Sequence, residues 1–197
     1  VVVQLQPKLR SCHTALCTLE DYDSVTQLLG ELKRSLGAGL TGFELMWDNY
    51  LDKVLEVVPD LQNPFAEPHP FYLLVEYKDS HEAAGAERFE NALFAHLEAG
   101  LITDAVIAQS HKDAERFWQI RDGIGVLLQV LGPVSNQDVS LSLNKLGQFT
   151  VDLESRLKAK YADMDVLMFG HIGDNNLHVV AYTGRAEDKP LINTDIM

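Results

Sequence analysis

The stretch Phe71-Tyr-Leu-Leu-Val-Glu-Tyr77 decides the fold, because it is the clearest strand pattern in the chain. It is rich in aromatic and apolar residues. The residues before it form a loop punctuated by Pro64, Pro68 and Pro70, which separates the strand from the element that precedes it. The other elements of the first half can be arranged around this strand.

Helix and strand patterns alternate on both sides of it, over residues 11–110. Apolar residues at helical spacing predict helices, and short apolar runs between turn residues predict strands. The predicted elements are strand 13–19, helix 21–36, strand 40–47, helix 48–57, strand 71–77, helix 80–100 and strand 102–109. Two β-α-β halves of this size predict an α+β fold, a ferredoxin-like antiparallel sheet covered on one face by helices.

The second half of the chain is less regular. Its predicted elements are helix 112–131, strand 139–143, helix 146–161 and strands 166–170 and 177–182. Residues 183–197 are polar and rich in turn residues, so no element is predicted there.

Charge and cysteine content narrow the class of function. The net charge of −13 disfavours nucleic acid and anionic lipid as partners, and an acidic substrate would need a local basic pocket. No apolar run approaches the roughly 20 residues that a membrane-spanning helix needs. Cys12 and Cys17 lie five apart in a predicted strand and so face opposite sides, which disfavours a disulfide and fits a reducing cytoplasm.

The densest polar motif is Phe169-Gly-His-Ile-Gly-Asp-Asn-Asn-Leu-His178. On one straight helix or strand its two histidines could not share a ligand, whereas the turn between them lets both rings converge. Zinc accepts imidazole nitrogens and usually takes three protein ligands in catalytic sites, so His171 and His178 would be a partial metal site. From spacing alone an alternative stays open, in which both are buried histidines bonded to backbone in a turn.

This motif resembles Gly-His-x-Gly-Asp-Gly-Asn-x-His of the C-terminal (substrate, or cap) domain of FAD-linked oxidases. That domain occurs in D-lactate, glycolate and D-2-hydroxyglutarate dehydrogenases of the vanillyl-alcohol-oxidase class. The resemblance runs in order from about residue 7 to the end and is greatest to the D-2-hydroxyglutarate dehydrogenase branch. Further similar segments are 41–46 (Thr-Gly-Phe-Glu-Leu-Met), 70–76, 100–104, 117–124 and 138–141 (Asp-Val-Ser-Leu).

The resemblance implies a role for each matching residue. His171 and His178 would be catalytic and would bind a divalent metal, with zinc the first choice. Arg121 would be catalytic and would grip the substrate carboxylate with its two-pronged guanidinium. Asn176 would contact the cofactor, FAD. Without the family, Arg121 reads as a helix-surface arginine in a solvated ion pair.

The sequence departs from the family at several positions. Asn175 replaces the second glycine of the motif, and asparagine tolerates positive φ well enough for the turn to survive. Asn136 falls where the D-2-hydroxyglutarate branch has a substrate-binding lysine, Gly125 where it has a threonine, and Val180 where it has an asparagine. Because these polar contacts are weakened, we expect a different 2-hydroxyacid, one without a second carboxylate.

The same resemblance predicts the place of this chain in a larger flavoprotein. Residues 1–10 would be a connector from a flavin-binding domain, and 11–197 the substrate domain, truncated before the family's Glu-His-Gly segment. That segment supplies the third metal ligand and the base, so the chain by itself should be inactive. The parent would be a cytoplasmic dehydrogenase of a small D-2-hydroxyacid that passes electrons to a quinone or an electron-transfer flavoprotein. A homodimer and peripheral attachment to the inner membrane stay open.

Two other classes of function fit the pattern of elements. A ferredoxin-like layer is a common scaffold, so the chain can also be a non-catalytic module that binds small molecules. Such binding would be indifferent to the loss of both His171 and His178. A simple oligomerisation domain would instead associate with itself without preference for any ligand.

Overall fold

The computed structural model describes residues 9, 11–161 and 163–196, so the predicted connector over residues 1–10 lies almost wholly outside the described residues. The described residues form one seven-stranded sheet in the order β4-β1-β3-β2-β6-β7-β5. Its strands are β1 Ser11–Leu19, β2 Leu40–Trp47, β3 Phe71–Asp79, β4 Asp104–Ile107, β5 Ser135–Ser140, β6 Asp165–Gly170 and β7 Asn176–Tyr182.

The helices alternate with these strands along the chain. They are α1 Tyr22–Leu36, α2 Asp48–Val57, α3 Glu82–Glu98, α4 His111–Arg121, α5 Ile124–Val130, α6 Leu143–Lys160 and α7 Lys189–Ile196. In the part of the chain that the structure describes, none of them has the length and apolar character needed to span a bilayer.

The α+β class and the ferredoxin-like sheet are confirmed. The first four strands lie in the order β4-β1-β3-β2 with antiparallel neighbours. The second half extends the same sheet, because β6 pairs with β2 through Leu45↔Gly170 and Met46↔Phe169. The two halves of the chain therefore share one sheet, and they meet at a short seam between β2 and β6.

Helices cover both faces of this sheet, so the expectation of one covered face was wrong. In β3, Leu73 and Val75 belong to a core with α1, α3 and α6, whereas Tyr72 and Leu74 belong to a second core with α2, α4 and α5. Side chains of a strand point alternately to its two faces, so a strand that is apolar at successive positions needs cover on both. We call the second side the α2/α4 face.

Several predicted boundaries in the second half were also wrong. The single helix predicted over 112–131 is two helices, since α4 ends at Arg121 and α5 begins at Ile124. The strand predicted at 139–143 is β5, Ser135–Ser140, a polar edge strand whose limits follow its pairing with β7. Residues 189–196, predicted to be turns, form a helix that buries Ile192 and Ile196.

Cys12 and Cys17 are both free, the first exposed and the second buried, as their odd spacing in the strand predicts. Burial raises the pKa of the Cys17 thiol to about 12, which keeps it protonated and unreactive.

The break between α4 and α5 offers a matched pair of glycine substitutions. A Cβ at Gly123 would lie 2.5 Å from Val54 Cγ1, whereas a Cβ at Gly125 would meet no atom within 4 Å. We expect Gly123→Ala to lower the free energy of unfolding by about 1–3 kcal/mol through overpacking. Gly125→Ala should raise it by about 0.4–1 kcal/mol by restricting the unfolded chain. Urea denaturation of both variants checks this, and equal effects would contradict it.

Candidate functional site

The motif histidines lie at the ends of neighbouring strands β6 and β7. His171 directly follows β6, and a short 3-10 turn, Ile172–Asp174, leads back into β7, which carries His178. Asn175 adopts the left-handed conformation with φ 59° and ψ 28°, as expected for the residue that replaces the family's glycine. The backbone N–H groups of Asp174 and Asn176 donate to the His171 carbonyl at 2.9 and 3.1 Å, which closes the turn.

This turn brings the two imidazoles together. Their ring centroids are 5.3 Å apart and the planes are inclined at 77°. Phe169 lies beside one of them and beside Arg121, with its ring 4.8 Å from that of His178 and 5.6 Å from the Arg121 guanidinium carbon. Tyr50 stacks on Phe169 at 4.4 Å, so this ring is fixed by the core of the α2/α4 face.

Arg121 is the last residue of α4, and its backbone is anchored from α2. The Tyr50 hydroxyl donates to the Arg121 carbonyl at 2.6 Å and accepts from the Ile124 N–H at 3.2 Å. One buried hydroxyl therefore bridges the end of α4 and the start of α5. Burial raises the pKa of this phenol, so it stays a neutral donor.

Glu44, in the middle of β2, holds both Arg121 and His171. Its Oε1 accepts from His171 Nδ1 at 2.7 Å, and its Oε2 accepts from Arg121 Nε at 2.9 Å. The side chains of Glu44 and Arg121 are 7% and 11% exposed, so this ion pair is buried and each charge requires the other.

The guanidinium of Arg121 also contacts the His171 ring. Its Nη2 is 2.9 Å from Nε2 and 3.3 Å from Nδ1. The shorter distance lies within hydrogen-bond range, so the Arg121 Nη2 group is a direct neighbour of His171 Nε2. Burial opposes the charge on Arg121, but Glu44 and Asp122 outweigh that effect and raise its pKa.

His178 has its own carboxylate on the neighbouring strand. Its Nδ1 lies 2.5 Å from Asp138 Oδ1 of β5, and Asp138 is 71% exposed. Both histidines thus direct Nδ1 to a carboxylate, while Nε2 of His171 faces Arg121 Nη2 at 2.9 Å. A carboxylate behind each imidazole is the usual outer arrangement of histidines that bind metals. Within residues 9, 11–161 and 163–196, however, no group of three or more His, Cys, Asp or Glu side chains could hold a metal ion.

The structure places the remaining predicted residues on β5, α5 and β7. Asn136 and Val180 are partners across β5 and β7, one step along the ladder from the Asp138↔His178 partners on the same face. Gly125 is exposed in the first turn of α5. Asn176 is the first residue of β7, and its Oδ1 is buried without a partner in the described structure.

Glu44 and Asp138 are the site residues to which sequence reasoning gave no role. Both lie in segments that resemble the family, but their spacing from the histidines carries no signal. Glu44 did offer one clue, because it is an acidic residue between Phe43 and Leu45 in a strand that is otherwise buried. A buried carboxylate needs a partner, so such a residue marks a position where charge is compensated.

The chain belongs to the family of FAD-linked oxidases, C-terminal domain, which matches residues 8–194. It is 38% identical over 192 residues to the mitochondrial D-2-hydroxyglutarate dehydrogenase of Arabidopsis thaliana, covering 97% of this chain and 34% of that protein. It is 35% identical over 167 residues to the D-2-hydroxyglutarate dehydrogenase of Xanthomonas citri pv. viticola, covering 83% of this chain and 34% of that protein. The chain thus spans about a third of the length of these relatives.

Among solved structures, p-cresol methylhydroxylase with substrate bound shares the fold. The TM-score is 0.65 at 10% sequence identity, over 96% of this chain and 42% of that one. The predicted resemblance to a flavoprotein family is confirmed, and so is the α+β architecture.

The anchoring of Arg121 by Tyr50 can be tested with a second tyrosine as control. Tyr50→Phe leaves the Ile124 N–H and the Arg121 carbonyl without the hydroxyl that they share. We therefore expect the free energy of unfolding to fall by about 1–3 kcal/mol. The Tyr22 hydroxyl is buried without a partner in the described structure, so Tyr22→Phe should leave stability unchanged or raise it. Thermal and urea unfolding measure both, and an equal loss in the two variants would contradict the anchoring role.

Proposed function

We propose that this chain is the substrate-binding part of an FAD-dependent dehydrogenase that oxidises a D-2-hydroxyacid to a 2-oxoacid. Family membership supports the flavin and the enzyme class. The names of the relatives support a hydroxyacid as substrate. The observation that carries the proposal is the convergence of Arg121, His171 and His178: the two imidazoles are 5.3 Å apart, and Arg121 contacts His171 at 2.9 Å.

In this proposal His171 and His178 would hold a divalent metal ion, with zinc the first choice, through their imidazole nitrogens. The donor set fits, because each Nδ1 is engaged by a carboxylate and nitrogen ligands suit zinc. Such a metal, when bound, lowers the pKa of a substrate hydroxyl as a Lewis acid. Further ligands would come from the substrate and from a segment outside this chain, so the chain alone should bind metal weakly and be inactive.

Arg121 would orient the substrate. A guanidinium makes two parallel bonds to a carboxylate, and Glu44 fixes its direction from behind. The carboxylate held by Arg121 and the hydroxyl near the histidines would place the α-carbon between them. FAD, when bound, supplies the acceptor for the hydride that leaves this carbon. The base that takes the hydroxyl proton would belong to the segment outside this chain.

The surroundings of His178 favour a substrate without a second carboxylate. Asn136 and Val180 lie side by side on β5 and β7 and offer no positive charge there. Gly125 offers no side chain at all. The acceptor that reoxidises the flavin, a quinone or an electron-transfer flavoprotein, remains part of the proposal, as do the homodimer and the cytoplasmic location. The relative from Arabidopsis is named as a mitochondrial protein.

The role of His178 can be tested in the longer flavoprotein that the proposal implies. We expect His178→Ala to slow flavin reduction by D-2-hydroxyacids by at least about 100-fold, since a metal ligand is lost. The control His111→Ala removes a 91% exposed histidine on α4 and should leave the rate unchanged. Stopped-flow bleaching of the flavin measures both. Equal rates for His178→Ala and wild type would favour a non-catalytic binding module.

Substrate choice can be tested at the positions that depart from the family. We expect Gly125→Thr combined with Asn136→Lys to raise kcat/KM for D-2-hydroxyglutarate relative to D-lactate by at least about tenfold, through new bonds to the second carboxylate. Both side chains have room, since Gly125 faces open space and Asn136 is exposed. Asn144→Lys, which adds the same charge on α6, is the control. An unchanged ratio in the double variant would contradict this account of selectivity.

A further inference from the structure

The Glu44 carboxylate faces donors at both of its oxygens. Oε1 meets the N–H of His171 and Oε2 meets the N–H of Arg121, at 2.7 and 2.9 Å. These two partners are the residues that the proposed function gives to the metal and to the substrate carboxylate. They come from different parts of the fold, 127 and 77 residues away from Glu44 along the chain.

This arrangement determines the tautomer of His171. A carboxylate only accepts hydrogen bonds, so the proton of the neutral ring lies on Nδ1 and Nε2 keeps its lone pair. A neutral His171 is therefore held as the tautomer whose lone pair is on Nε2.

The same carboxylate fixes the direction of Arg121. Its Nε–H bond to Oε2 orients one edge of the guanidinium, and the buried ion pair holds that edge in place. His178 differs, because its carboxylate, Asp138, is exposed and bonds only the histidine in the described part of the chain. Of the two carboxylates, Glu44 alone in the described structure touches both groups.

We propose that Glu44 is the positioning residue of this site, setting the His171 tautomer with one oxygen and the Arg121 guanidinium with the other. This inference rests on the proposed function for what the two groups do, and on the geometry for how they are held. It predicts that loss of Glu44 perturbs both groups, whereas loss of Asp138 perturbs only the histidine.

Glutamine is the informative replacement. Its side chain has one acceptor oxygen and one NH₂ donor. In either orientation of the amide, the NH₂ group faces an N–H donor, that of His171 or that of Arg121. Asp138→Asn is the matched control on His178, and Glu44→Asp keeps both acceptors and the charge. Circular dichroism and thermal unfolding establish that each variant is folded before the site is compared.

The first measurement is NMR of the 197-residue chain with ¹⁵N-labelled histidine and arginine. In wild type we expect His171, assigned by its absence in His171→Ala, to carry its proton on Nδ1. The Arg121 Nε–H should be protected from exchange. Glu44→Gln should move the His171 proton to Nε2 or expose the Arg121 Nε–H, and Asp138→Asn should do neither. A wild-type His171 protonated on Nε2 overturns the proposal even if no Glu44 variant folds.

The second measurement is zinc affinity, determined by competition with a chromophoric chelator. Outer carboxylates of this kind change metal affinity by 10–100-fold, so we expect about that rise in Kd for Glu44→Gln. Glu44→Asp should lie between Glu44→Gln and wild type. An unchanged Kd together with an unchanged tautomer in Glu44→Gln overturns the proposal. If wild type binds no zinc, the metal part of the proposed function fails, while the NMR result still decides the role of Glu44.

Discussion

The buried charge of Glu44 is the constraint on which the site depends. A carboxylate in the middle of an apolar strand is costly unless it is paired and hydrogen-bonded, and Arg121 and His171 supply both bonds. Neither partner is near Glu44 in sequence, so the site exists only when β2, the end of α4 and the turn after β6 are assembled. Fold and site are therefore coupled by one electrostatic requirement.

The short seam between β2 and β6 explains where the Glu44 carboxylate finds its partners. The two halves of the chain join through two residue pairs of β2 and β6, and Glu44 stands next to the first of them, Leu45↔Gly170. Gly170, the residue before the histidine turn, allows β6 to lie close to the start of β7, since a Cβ there would lie 2.7 Å from the Asn176 carbonyl oxygen, and its φ of 157° suits glycine. The histidine turn thus begins at the point where the halves meet.

The predictions from sequence succeeded where an element is stabilised by its own pattern. Strand 40–47 and helix 48–57 have the predicted bounds, because their apolar residues carry the period of the element that forms. The predictions failed where the limits of an element are set by the elements that it pairs with or packs against. β5 is polar and takes its limits from β7, and the helix at 189–196 buries only Ile192 and Ile196. At the break after Arg121, Gly123 lies so close to Val54 that a Cβ would be 2.5 Å from Val54 Cγ1, a long-range contact that no local pattern contains.

The sequence by itself determined the class of fold and, through its resemblance to a family, the three side chains that meet at the site. The strand and helix periods and the two histidines around a turn are local features of the chain, whereas Arg121 was identified only by the resemblance. Only the tertiary structure decided how those side chains are held: Glu44 behind His171 and Arg121, and Asp138 behind His178. The physical reason is that these bonds join residues 40 to 127 positions apart, so their geometry is set by strand pairing and packing.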